Sequence, residues 1–287
     1  MRKAKSFGVR GMSAEERRAA NPYLGRKVPL HGVAPAGALP GRDEGLRRFM
    51  LDVYNLMFCG LAVTALAAFA TYALTVTGDP AAAAVDAEGY LYVMSETELL
   101  TPLGVLLYDT WAWYVVCLGP LLLLVACAPV FRGLNATAAL AVFALVATLI
   151  GVSFSALALS YTGASIVSVF LCTAAAFGGL SLVGYTTQRD LSGWGSFLWM
   201  GFFGLLVAAI VNLFLKSDAV QFAVCAMGVL VFSGFTVYDT QAIKEAYSER
   251  MGREARLSLA ISGALDLYLD FVNLFRFLLF FLGEGEE

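Results

Sequence analysis

The stretch AVCAMGVLVFSGFTVYDTQAI (223–243) is apolar enough to lie in a hydrocarbon layer, yet it carries Asp239. A second stretch, ALDLYLDFVNLF (264–275), carries Asp266 and Asp270 in the same way. Between them lies a polar turn, SERMGREAR (248–256). Two apolar runs around a charged turn read as an antiparallel helical hairpin. The midpoint between residues 239 and 270 falls at 254–255, inside that turn. A symmetric hairpin therefore sets Asp239 and Asp270 at equal depth. On the second helix Asp266, Asp270 and Asn273 recur at helical spacing and share one face.

The rest of the chain is the same material. Of 287 residues 59% are hydrophobic and 14% charged, with a mean hydropathy of +0.74. A soluble core of this size cannot hide so much apolar surface, so the natural solvent is lipid. Seven segments approach the length that spans a bilayer: about 50–76, 113–131, 134–159, 163–185, 195–215, 219–243 and 259–283. In lipid the backbone must satisfy its own hydrogen bonds, so each segment is a helix. The expected fold is all-α, a polytopic membrane protein of seven transmembrane helices. Gly178, Gly179, Gly201 and Gly204 allow close helix packing. A net charge of −3 argues against a nucleic-acid partner. The single histidine, His31, lies in a polar tail, which argues against a His-based metal or catalytic site. Cys59, Cys117, Cys127, Cys172 and Cys225 all fall in apolar runs and read as small buried hydrophobes.

Residues 1–48 differ. They hold eleven Lys and Arg, several Pro and Gly, and no apolar run. They read as a basic, mostly disordered tail, with capping-box spacing at Ser13 and Glu16. Residues 49–287 form the membrane domain. Arg132, Arg189, Lys244, Arg250, Arg253 and Arg256 fall on the same side as the tail, and Lys216 on the other. That asymmetry makes the N-terminus cytoplasmic, and seven spans place the C-terminus outside. The first external loop, 77–112, has six acids and no basic residue. It reads as an ordinary solvated outer loop, or as a mouth that concentrates cations.

Charges inside a membrane are expensive and mark functional sites by default. Two carboxylates in contact do not both ionise easily, and the pair titrates as a unit. Such a pair can hold one shared proton near neutrality, which suits a pH switch. Deprotonated, it can take a hard cation, with Asp266, Asn273, carbonyls and water as further oxygens. Against this stands pure helix stapling, with Arg132 at the cytoplasmic end of the second segment as an ion-pair partner. A pair of membrane aspartates is also the machinery of intramembrane aspartyl proteases, and Tyr238-Asp239 matches the first motif of those enzymes. Their Gly-x-Gly-Asp motif is missing before Asp270, which follows Leu-Tyr-Leu.

VFSGFTVYDTQAIK (231–244) and ALDLYLDFVNLFRFLL (264–279) closely resemble the two signature stretches of the Bax inhibitor-1 family. RRFMLDVYNLMFCGLAVTALAA (47–68) resembles its first-helix motif, and residues 179–215 its fourth and fifth helices. The resemblance implies a seven-helix membrane domain with the last helix central. It implies a pH-sensitive calcium leak channel, with no enzyme activity and no prosthetic cofactor, calcium being the permeant or bound ion. Asp239 and Asp270 are then the proton-sensing pair and the calcium ligands. VFRGLNATAAL (130–140) makes Arg132 the arginine that pairs with the second aspartate. Asp266 departs from the serine usual in bacterial relatives and adds a negative charge. The arginine near the end of the last helix in many relatives is also missing, Arg276 standing earlier. The short acidic C-terminus, GEGEE, favours a bacterial plasma (inner) membrane. The alternative function is regulation by contact with a membrane protease or other partner, without ion transport.

Overall fold

The computed structural model describes residues 42–86, 88–93, 98–112, 115–116 and 135–285. The N-terminal tail up to residue 41, most of the second apolar segment, Arg132, Cys117 and Cys127 lie outside them. The chain enters as a long helix, α1 (Arg42–Thr75). It starts well before the apolar run because RDEGLRRF is itself good helix material. Two short strands follow, β1 (Val76–Thr77) and β2 (Leu99–Leu100), paired antiparallel with Val76 opposite Leu100. Next is α2 (Pro102–Tyr108), opened by Pro102 and by Thr101, whose side chain accepts from the Gly104 N–H. These short elements were not legible as such in 77–112.

Four helices of the bundle follow: α3 (Ala136–Phe154), α4 (Gly163–Thr186), α5 (Trp194–Leu215) and α6 (Asp218–Ala246). The last is α7 (Arg253–Leu282). α3 runs on through a 3-10 turn, Ser155–Leu159. Among the described residues five helices are long and apolar enough to cross a membrane: Glu44–Thr75, Ala136–Leu159, Gly163–Thr186, Trp194–Leu215 and Asp218–Ala246. α7, which carries Asp266, Asp270 and Arg276 within its apolar run, is not one of them. Its 30 residues nonetheless extend about 45 Å.

α6 packs against α4, α5 and α7, and α7 packs against α3, α4 and α6. Thirteen residues of α7 are buried, among them Ile261, Leu267, Tyr268, Leu274 and Leu279. The α6–α7 register can be read from two glycines. A Cβ at Gly228 would lie 2.5 Å from the Phe277 ring, and one at Gly263 would lie 2.9 Å from Ile243. Only glycine lets the helices approach so closely at those levels. Both pairings centre on the 248–256 turn, as a symmetric hairpin requires.

The two ends of α7 meet opposite ends of α3. At the first, the Ala136 N–H donates to Glu254 Oε1 at 3.0 Å. At the other, Gly285 bridges Tyr161 and the Thr162 N–H donates to the Glu284 carbonyl at 3.1 Å. Among the described cysteines only Cys225 is buried; Cys59 and Cys172 are exposed. The expectation of buried cysteines fails there because a lipid-facing surface accepts small apolar groups as readily as a core does.

Candidate functional site

The four residues Tyr238, Asp239, Thr240 and Gln241 each meet a different neighbour. Successive helix positions differ by about 100°, and α6 is enclosed on several sides. Tyr238 packs on Gly195 at the start of α5, where a Cβ would lie 2.7 Å from its hydroxyl. Asp239 faces α7. Thr240 meets Ser181 of α4, with the two hydroxyls 3.0 Å apart. Gln241 turns to the α4–α5 loop. Its Nε2 donates to the Arg189 carbonyl at 2.8 Å, and its Oε1 accepts from the Leu191 N–H at 2.9 Å. Lys244, one turn on, donates to the Tyr185 carbonyl at the end of α4 at 2.8 Å.

Asp239 and Asp270 come together across the α6–α7 seam, close enough for their carboxyl groups to interact directly. Asp270 is 4% exposed. Its Oδ2 is buried and takes no hydrogen bond from the protein's described residues. Asp239 is only half-buried, so the pair has one sealed member and one accessible member. Asp266 is not enclosed with them. It is exposed on the α7 surface, within electrostatic reach of both. Asn273 is half-buried, and its Nδ2 donates to the Leu269 carbonyl of its own helix at 2.8 Å. Among the described residues no group of three or more His, Cys, Asp or Glu side chains is arranged to hold a metal ion. Arg132 lies outside the described residues.

Two hydroxyl chains hold the helices around this pair. In one, Tyr54 of α1 lies 2.5 Å from Ser181, and Ser181 lies 3.0 Å from Thr240. Thr240 spends its proton on the Thr236 carbonyl at 2.7 Å. Ser181 must therefore donate to Thr240, and Tyr54 to Ser181. In the other, Thr64 of α1 donates to the carbonyls of Gly60 and Ala147, at 3.1 and 3.0 Å. The Tyr268 hydroxyl, 2.6 Å away, is then the donor to Thr64. Both chains end on backbone carbonyls, so their protons point one way and they act as straps. Sequence reading missed them. The available signal was Thr, Ser and Tyr recurring inside apolar helices, where a hydroxyl needs a partner.

Away from the 248–256 turn the α6–α7 seam becomes apolar. Phe277 fills the space at Gly228 and lies 5.8 Å from the Phe232 ring. Phe232, Phe235, Leu274 and Leu198 form a buried cluster there. Aromatic packing thus separates the polar half of the seam from the end of the hairpin farthest from its turn.

Comparison with known proteins places this geometry. A family profile described as inhibitor of apoptosis-promoting Bax1 matches residues 46–287. An uncharacterized protein of Caulobacter vibrioides is 43% identical over 248 residues, covering 85% of this chain and 92% of the relative. The uncharacterized protein RP147 of Rickettsia prowazekii is 39% identical over 250 residues, covering 85% and 93%. The inner membrane protein YbhL of Escherichia coli K12 is 38% identical over 242 residues, covering 84% and 93%.

Proposed function

Since the chain belongs to the Bax inhibitor-1 family, we propose that it is a pH-sensitive calcium leak gated by protonation of the Asp239–Asp270 pair. The observation that carries this reading is the contact between the two carboxyls, with Asp270 Oδ2 left without a described protein partner. In this reading the two adjoining carboxyl groups share one proton. Losing it takes the pair from one negative charge to two, and like charges at that distance repel. The seam between α6 and α7 then opens, or recruits a cation or the Arg132 guanidinium. Asp239, the accessible member, is where the proton enters and leaves. Two carboxylates fall short of the six to eight oxygens that hold calcium tightly. That suits an ion passing through, with Asp266 and Asn273 as further oxygens along α7, and no resident cofactor or enzymatic step.

The same reading sets seven spans, a cytoplasmic N-terminus, an external C-terminus and a central α7. The contacts of α7 with both ends of α3, and its burial, support it. The similarity to YbhL, an inner membrane protein, supports a bacterial inner membrane.

The test is calcium entry into dye-loaded proteoliposomes from mildly acid to mildly alkaline pH. Wild type should leak in a pH-dependent way, and Asp239→Asn and Asp270→Asn should both flatten that dependence. A folded wild type without flux at any pH would leave the second reading, regulation by contact with a membrane protease or another protein. The description of the family as an inhibitor of another protein favours that alternative. Removing residues 1–46 separates the two: a tail-borne contact is lost, whereas a leak persists.

A further inference from the structure

A second polar feature lies between the starts of α1 and α7, and the function above does not use it. Arg48, Phe49, Leu51, Asp52 and Asn55 of α1 and Arg256 of α7 line a cavity of about 410 Å³. The two arginines sit where their helices enter apolar sequence: α1 turns apolar at Phe49, and Arg256 is one turn into α7. Arg48 lies 3.7 Å from Glu44, with both side chains 81% exposed, a weak and solvent-screened pair. Its guanidinium remains able to take a better anion.

The charges select the ligand. Within the lining itself two guanidiniums and one carboxylate leave one net positive charge, which a single phosphodiester balances once Arg48 exchanges its screened pairing with Glu44 for the phosphate. A guanidinium matches phosphate geometry with paired N–H groups. Asp52 would repel a bare anion but accepts a hydrogen bond from a hydroxyl or ammonium arm beside the phosphate. The rim indicates the source. Leu51 and Phe58, two turns apart on one face of α1, are 50% and 59% exposed, a lane for an acyl chain next to the cavity. Basic pockets between helices at the cytoplasmic surface are characteristic headgroup sites.

We propose that this cavity holds the phosphodiester headgroup of a membrane glycerophospholipid. Arg48 and Arg256 bind the phosphate, and Asp52 accepts from the hydroxyl or ammonium arm. The test uses the full chain in phosphatidylcholine nanodiscs doped with phosphatidylglycerol or phosphatidylethanolamine, with retained lipid counted by native mass spectrometry. Arg48→Gln and Arg256→Gln should each lower phosphatidylglycerol affinity about tenfold, the loss of one charge-assisted contact. Arg47→Gln, the same charge change outside the cavity lining, should leave it unchanged. Equal losses in all three variants would reduce the effect to diffuse attraction and overturn the site. Asp52→Leu, which removes the acceptor at similar size, should erase the preference for phosphatidylethanolamine over phosphatidylcholine. Wild type that retains phosphatidylcholine equally well, or releases its lipid to inorganic phosphate, would also overturn the proposal. Unchanged melting temperatures of the exposed-arginine variants confirm that they are folded.

Discussion

α5 and α7 are helices of one bundle that treat hydrophobicity in opposite ways. α5 is almost wholly apolar, yet only Gly195, Leu198 and Asn212 of its 22 residues are buried. α7 carries two aspartates, a glutamate, an asparagine and three arginines, yet 13 of its 30 residues are buried. In water the apolar helix would be the inner one. In lipid the order reverses, because tails solvate Phe214 and Val207 as well as a core does, while Asp270 and Tyr268 have no partner but other helices. Position in this fold is therefore set by polar groups and close packing, not by apolar content.

The sharpest way to break that comparison is one large side chain from each helix. Tyr268 is fully buried, stacks edge-on against Phe143 at 5.4 Å and ends one of the hydroxyl straps. Tyr268→Ala should cost about 3–5 kcal/mol. Phe214 is 84% exposed, and Phe214→Ala should stay within about 0.5 kcal/mol. Thermal unfolding in one detergent measures both, and equal losses would mean that α5 is buried against something other than lipid. A smaller effect is expected at Thr64→Val, which keeps the shape but removes the acceptor for Tyr268. It should cost about 1 kcal/mol, the usual size for a hydrogen bond between membrane helices. A neutral result would leave the strap without energetic weight.

The smallest effect lies outside the lipid, in the α4–α5 loop that Gln241 holds. The Ser192 N–H donates to Asp190 Oδ1 at 2.8 Å, and with the Ser192 hydroxyl it holds this exposed carboxyl below its ordinary value of 3.8. A lowered folded-state value stabilises the fold above the unfolded value and is lost as pH falls through the folded one. Wild type should therefore melt slightly above Asp190→Ala at neutral pH, and the gap should close in strong acid. A gap that survives there comes from something other than the carboxylate.

Much of this fold could be read from hydropathy. The segment at 163–185 became Gly163–Thr186, 195–215 became Trp194–Leu215 and 219–243 became Asp218–Ala246. The hairpin midpoint anticipated the meeting of Asp239 with Asp270, because equal spacing from a turn translates directly into equal depth. Helix starts were less legible: α1 begins at Arg42 and α7 at Arg253, since a helix does not stop where the lipid does. Shared periodicity puts Asp266 on the face of Asp270, and it lies within electrostatic reach of the pair although its side chain is exposed. Thr240 and Gln241 were quoted as a motif without a role, because their partners on α4 and its following loop lie 50 to 59 residues away in sequence.

α7 is fastened at both ends, to the start of α3 through Glu254 and to the connection after α3 through residues 284–285. Mechanically it is a beam clamped at its two supports, with the aspartate near mid-span. Such a beam resists being pushed along its length but bows or twists readily at its centre. A change of charge at Asp270 therefore acts where the least force produces the most displacement, and piston-like travel of the whole helix would first have to break its anchors.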